Sequence, residues 1–164
     1  MFIPYKCYIS IDIISLRFNK GEKIMMKDPN CGYCGNEEAL AVFAYKICDL
    51  QVSSLYLFKE QSHKGRCIVA YKDHISEIVD ITKEERDLFF DDITKAAKAI
   101  HKVFNPKKLN YGAYGDTGCH LHFHLVPKYE NGFEFGGTFE MNPKKTFLKE
   151  EEYKEMIELI KNAL

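Results

Sequence analysis

Residues 120–126 read His-Leu-His-Phe-His-Leu-Val, three histidines alternating with apolar side chains. Alternation at period two belongs to a half-buried strand, on which residues i, i+2 and i+4 share one face. That face carries His120, His122 and His124, while Leu121, Phe123 and Leu125 on the other enter a core. Packing alone does not account for three such rings, because each brings two nitrogens that need partners. The strand is expected to wall an active site.

The rest of the chain reads as a scaffold for that wall. Residues 54–58 and 67–71 are β-rich runs, and 47–50 and 109–114 are weaker strand candidates. The clearest helix opens at Thr82, where Thr82-x-x-Glu85 forms a capping box, and stops before Pro106. Its apolar positions, from Leu88 and Phe89 through Ile93 to Ile100 and Phe104, recur at three and four. Asn36-Glu37-Glu38 cap and open a short helix that runs through Ala39 to Phe43, and a final helix covers 149–164. This predicts an α+β fold: an antiparallel sheet with the 82–104 helix packed on it. Residues 1–25 alternate irregularly and lack the apolar core of a secretory signal, so they read as an extension or a mis-assigned start. The domain proper is expected over 26–164.

Composition excludes several classes of partner. The net charge is −1, from 23 basic and 24 acidic residues, so no overall field draws nucleic acid or membrane. No apolar run is long enough to span a bilayer. Six unevenly spaced cysteines in 164 residues suit reduced thiols in a cytoplasm better than a disulfide framework. His63 and His101 have no partner pattern and read as surface residues.

For the histidine strand itself three readings stand: structural rings, a metal site built on His-x-His, or a nucleophilic or acid–base histidine. Imidazole is a good nucleophile at neutral pH because much of it is uncharged there. The full pattern from His120 to Val126 resembles that of the histidine triad family of nucleotide hydrolases and transferases. Gly65-Arg66-Cys67-Ile68-Val69-Ala70-Tyr71-Lys72-Asp73-His74 is similar to that family's Gly-His-x-Leu-Val-Ile-Pro-Lys-x-His stretch. The resemblance spans residues 31–129.

It implies that His122 attacks the α-phosphorus of a nucleotide conjugate, its ring held in one tautomer by a backbone carbonyl, here that of His120. It further implies that His124 contacts phosphate oxygens or the leaving group and that Thr117 donates a proton or hydrogen bond to the departing group. Asn110, Asp116, His120 and Lys128 fall where substrate contacts are expected, although a solvated surface lysine is the plainer reading of Lys128. Asp116 stands where many members have Gln, and a carboxylate beside phosphate is repulsive unless protonated or paired. Family members that bind a nucleoside commonly carry an acidic residue after a Phe-Leu pair, and the resemblance places Phe58 there, with Lys59 and Glu60 adjacent. The resemblance also implies a homodimer joined through the sheet.

Cys31-Gly32-Tyr33-Cys34 admits a redox pair, a zinc site or plain thiols. No buried strand precedes it, which weakens the redox reading. In some bacterial members of the family such a pair joins two histidines, which implies structural zinc on Cys31, Cys34, His74 and His120. Two competing functions remain: a metal-dependent hydrolase in which all three strand histidines bind one cation, and a nucleotide- or zinc-binding regulatory module with little turnover.

Overall fold

A computed structural model describes residues 26–116 and 118–164. The expectation for residues 1–25 lies outside them. Five antiparallel strands form one sheet: β1 (Ala44–Asp49), β2 (Ser53–Phe58), β3 (Cys67–Tyr71), β4 (Lys108–Gly112) and β5 (His122–Lys128), in the spatial order β1-β2-β3-β5-β4. The short α1 (Glu37–Ala41) precedes β1, the long α2 (Lys83–Phe104) follows β3, and α3 (Glu150–Lys161) ends the chain. The architecture is the α+β arrangement expected from the sequence.

Both long helices lie on one face of the sheet. Leu55, Leu57, Cys67, Val69 and Leu125 meet Phe89, Ile93, Ala96 and Ile100 of α2, and Tyr153, Met156 and Ile160 of α3. The Thr82 box is complete: its hydroxyl accepts from the Glu85 amide, and the Glu85 carboxylate accepts from the Thr82 amide. Asn105 ends α2 in the left-handed conformation, as the residue just before Pro106 can do when its side chain tolerates that region.

Two places differ from the sequence reading. β1 runs from Ala44 rather than from Ile47, with a bulge between Lys46 and Cys48. The bulge inserts a residue and makes burial recur at Ala44 and Ile47, three apart, which hides the strand from a period-two search. Asp92 is the second. It sits buried within α2, where its carboxylate accepts from the amides of Gln51 (3.1 Å) and Val52 (2.9 Å) and from the Ser53 hydroxyl (2.7 Å). A polar position on an apolar helix face thus closes the β1–β2 turn.

The opposite face of the sheet is smaller and mixed. Ala44, Tyr56, Phe58, Ile68 and Ala70 form its apolar part, covered by Tyr33, Leu40 and Phe43 from the segment that holds the cysteine pair. Residues 129–148 cover the remainder. Cys31, Cys34, Cys48 and Cys67 are free thiols. Cys119 is disulfide-bonded, which corrects the expectation that every cysteine is reduced.

Candidate active site and metal centre

β5 pairs Ala70 with His122 and Ile68 with His124, so both rings rise from the mixed face while Phe123 packs toward α2. His120 lies just before the strand, with its ring on the same side. All three histidines are buried: His120 is 2%, His122 9% and His124 4% exposed.

His120 is turned away from its neighbours by a hydrogen bond from Nε2–H to the Tyr71 carbonyl (2.6 Å). That bond assigns the lone pair to Nδ1. Nδ1 faces Cys31 Sγ and Cys34 Sγ, both at 3.5 Å, and His74 Nδ1 at 3.3 Å. Cys34 Sγ lies 3.3 Å from His74 Nδ1. All four ligand atoms fall within 4.8 Å of one another. Zinc–ligand bond lengths in a tetrahedron imply N···N edges of about 3.3 Å and N···S edges of about 3.6 Å. The donor set and its spacing therefore fit one tetrahedral cation. Two ring nitrogens facing each other without a carboxylate between them are otherwise hard to satisfy. Cys31 is pulled down to about 7, chiefly by a hydrogen bond from Cys34, whose own thiol is pushed up to about 11.

His122 is held differently. Its Nδ1–H donates to the backbone carbonyl of His120 at 2.6 Å, which leaves Nε2 with the free lone pair. Burial lowers the pKa of the ring, so it is neutral at physiological pH. The Tyr33 ring packs beside it at 5.3 Å and beside His120 at 5.1 Å. The ring is a poised lone-pair donor that is only 9% exposed.

His124 has a partner that the sequence reading passed over. Arg66 Nη2 lies 3.2 Å from His124 Nδ1. Gly65, at φ +87°, turns the chain so that Arg66 points under the sheet. A side chain at Gly65 would be strained in that conformation and would also strike the Phe104 ring at 2.6 Å. Arg66 is fully buried, stacks over Phe58 at 4.1 Å, and donates from Nη1 to the Met141 carbonyl at 2.7 Å. Burial, then the positive charge of Arg66, then His122 push His124 down to about 2. Burial also lowers Arg66, to about 10, which still leaves it charged at neutral pH. The signal was in the sequence: Arg66 occupies the second position of the Gly-Arg-x-φ-φ run.

Asn110 pairs with Val126 on β4 and so shares the histidine face, half-buried. Asp116 is exposed. Thr117 lies outside the described residues. Lys128 shares the face but is 3% exposed, and its Nζ has no hydrogen-bond partner among the described residues, so it is not a solvated surface lysine. Glu60 is buried, and its Oε1 accepts from the amides of Ser62, Lys145 and Thr146 and from the Ser62 hydroxyl. It anchors the covering segment rather than standing open. His63, expected at the surface, is 1% exposed and lies 3.2 Å from Glu134. His101 is exposed as expected.

The model of the family described as HIT domain matches residues 46–131, more than half of the chain, and includes most of β1, all of β2–β5 and all three histidines. The chain belongs to the HIT domain family. Among the relatives of this HIT chain is Protein hit of Bacillus subtilis, 32% identical over 89 residues that cover 51% of this chain and 61% of that protein. The chain thus matches less than two thirds of the length of that relative. A crystal structure of a histidine triad protein from Sinorhizobium meliloti shares the fold, with a TM-score of 0.71 at 21% identity over 77% of this chain and 94% of its own. A HIT family member from Bacillus subtilis aligns with a TM-score of 0.55 at 26% identity over 82% and 97% of the two chains.

Proposed function

We infer that this HIT chain transfers a nucleotidyl group, cleaving a nucleotide conjugate at its α-phosphate through a covalent intermediate on His122. The observation that carries the reading is the 2.6 Å bond from His122 Nδ1–H to the His120 carbonyl, which presents Nε2 as an unprotonated nucleophile. Nε2 attacks phosphorus, the bond to the leaving group breaks, and water then releases the nucleoside monophosphate. The amide of Asn110 and the ring of His124 share the face from which phosphate oxygens would be held. Lys128 adds buried positive charge further along the strand.

The Cys31, Cys34, His74 and His120 cluster supports zinc in a structural role. Four protein ligands close a tetrahedral ion, so zinc there would tie the cysteine segment to β5 without taking part in the reaction. The reading in which His120, His122 and His124 share one cation has less support. His120 aims its free nitrogen at the cysteines, and His124 faces a guanidinium. A homodimer remains an expectation from the resemblance, and a cytoplasmic location one from the number and spacing of the cysteines. No helix among the described residues is long and apolar enough to cross a membrane.

The slight exposure of His122 favours a second reading, a nucleotide-binding module with little turnover. One experiment separates the two. The protein is incubated with adenylated and guanylated conjugates, quenched without acid and weighed intact. A nucleoside-monophosphate adduct that is absent in His122→Ala supports transfer; nucleotide affinity with neither adduct nor product supports the binding module. Metal analysis of the same sample should find about one zinc per chain, lost in Cys34→Ser.

A further inference from the structure

Arginine donates hydrogen bonds and accepts none. Its 3.2 Å approach to His124 Nδ1 therefore assigns the lone pair of that ring to Nδ1 and the hydrogen to Nε2. This is the opposite arrangement to His122, whose hydrogen is on Nδ1. Neighbouring rings 5.1 Å apart thus differ at Nε2, bare on His122 and an N–H on His124. A second proton on His124 would set two N–H groups against each other next to a fixed positive charge. Burial of the ring and of Arg66 strengthens that penalty. His124 in this state offers a hydrogen bond but no transferable proton, since losing its only hydrogen would create an imidazolate.

The single proton on His122 is equally committed, being held at the His120 carbonyl. Neither ring can therefore protonate a departing group, and a threonine hydroxyl such as that of Thr117 passes on a proton only if a ring resupplies it. We propose that Arg66 is a specificity-determining positioning residue that locks His124 as a neutral Nε2–H donor, so that the site cleaves phosphoanhydrides and discriminates against phosphoramidates. The inference rests on the nucleotidyl-transfer reading above. In the anhydride step the His122 Nε2 lone pair forms the P–N bond, the P–O bond breaks, and its electron pair leaves with the oxygen of a phosphate. Phosphate is stable as an anion, and no proton moves. In a phosphoramidate the pair would leave on nitrogen, and an amine departs only if a general acid supplies a proton.

Arg66 is held for this task from several directions. Phe58 lies against one face, Phe139 is 5.3 Å away, and the Met141 carbonyl takes Nη1. The covering segment therefore fixes the guanidinium, which in turn fixes the ring.

The test compares diadenosine triphosphate with an adenosine monophosphate alkylamidate on the full chain, together with nitrogen-15 NMR of the His124 ring. The wild type should cleave the anhydride at least about 100-fold faster than the amidate, the usual size of a missing general acid. Arg66→Met should reduce that ratio at least about tenfold and give amidate cleavage a rise toward acid pH. Arg66→Lys, which restores a charged donor, should recover the discrimination. In the wild type, NMR should show His124 protonated on Nε2 alone with no titration between neutral and mildly acid pH. That measurement needs no variant and no turnover. A proton on Nδ1, or equal cleavage of both substrates by the wild type, would overturn the proposal. Adduct from both substrates at similar rates removes this inference only, whereas adduct from neither removes the transfer reading beneath it.

Discussion

The two faces of the sheet use burial for different ends, although β5 supplies both. On the helix side, Phe123 and Leu125 join an apolar layer with α2 and α3, and exclusion of water there is stabilising in itself. On the other side, His122, His124, Arg66, Glu60 and Lys128 are as thoroughly buried but polar. There the loss of water sets protonation: His122 is neutral, and His124 is held far from its charged form. Adjacent residues of one strand thus serve stability and chemistry separately. The difference can be broken from either side.

The largest effect is expected on the polar face. His122→Ala should reduce turnover by about 10⁴-fold or more, while the thermal midpoint, followed by circular dichroism, moves by only a few degrees. On the helix face the pattern reverses. Ile100 is fully buried against the sheet, and Ile100→Ala should cost about 2–5 kcal/mol in denaturant titration. Activity per folded molecule should be unchanged. A drop in both quantities for either variant would show that the faces are coupled.

Asp92 tests the boundary between them. Asp92→Ala leaves the amides of Gln51 and Val52 without their acceptor and should cost about 1–3 kcal/mol. Its effect should appear as faster hydrogen exchange in the β1–β2 turn. The smallest effect is the change that one variant makes to a pH slope. The folded pKa of His124 lies below its ordinary value of 6.5, so the unfolded chain binds more protons on acidification. This contribution to stability is complete above 6.5 and declines as pH falls toward about 2. Arg66→Met removes one cause of the depression, and the acid decline measured by denaturant titration should become shallower.

The sequence made the histidine face and the capped helix legible because each rests on a local rule: period two for residues 120–126, a capping box at Thr82. The metal-ligand set was legible through the family resemblance, since His74 and His120 stand 46 residues apart and no spacing rule joins them to the cysteines. Arg66 stood only within the family-like stretch 65–74 with no role assigned, because a guanidinium is seldom fully buried and its partner, His124, is 58 residues away. His63 and Lys128 were assigned to solvent for the same reason. Each is buried by residues 129–148, a stretch whose polar, glycine-containing composition carries no periodic signal that it would lie over a sheet. Asp92 shows the same limit from another side: its partners come from a turn, and hydrophobic periodicity says nothing about where a carboxylate will find amides.

His120 has one further consequence. Its ring belongs to the cysteine cluster, and its carbonyl receives the proton-bearing nitrogen of His122. A single residue is therefore the hinge-pin between anchorage and reactivity: whatever shifts the cluster also re-aims the neighbouring ring, and neither end can drift without dragging the other.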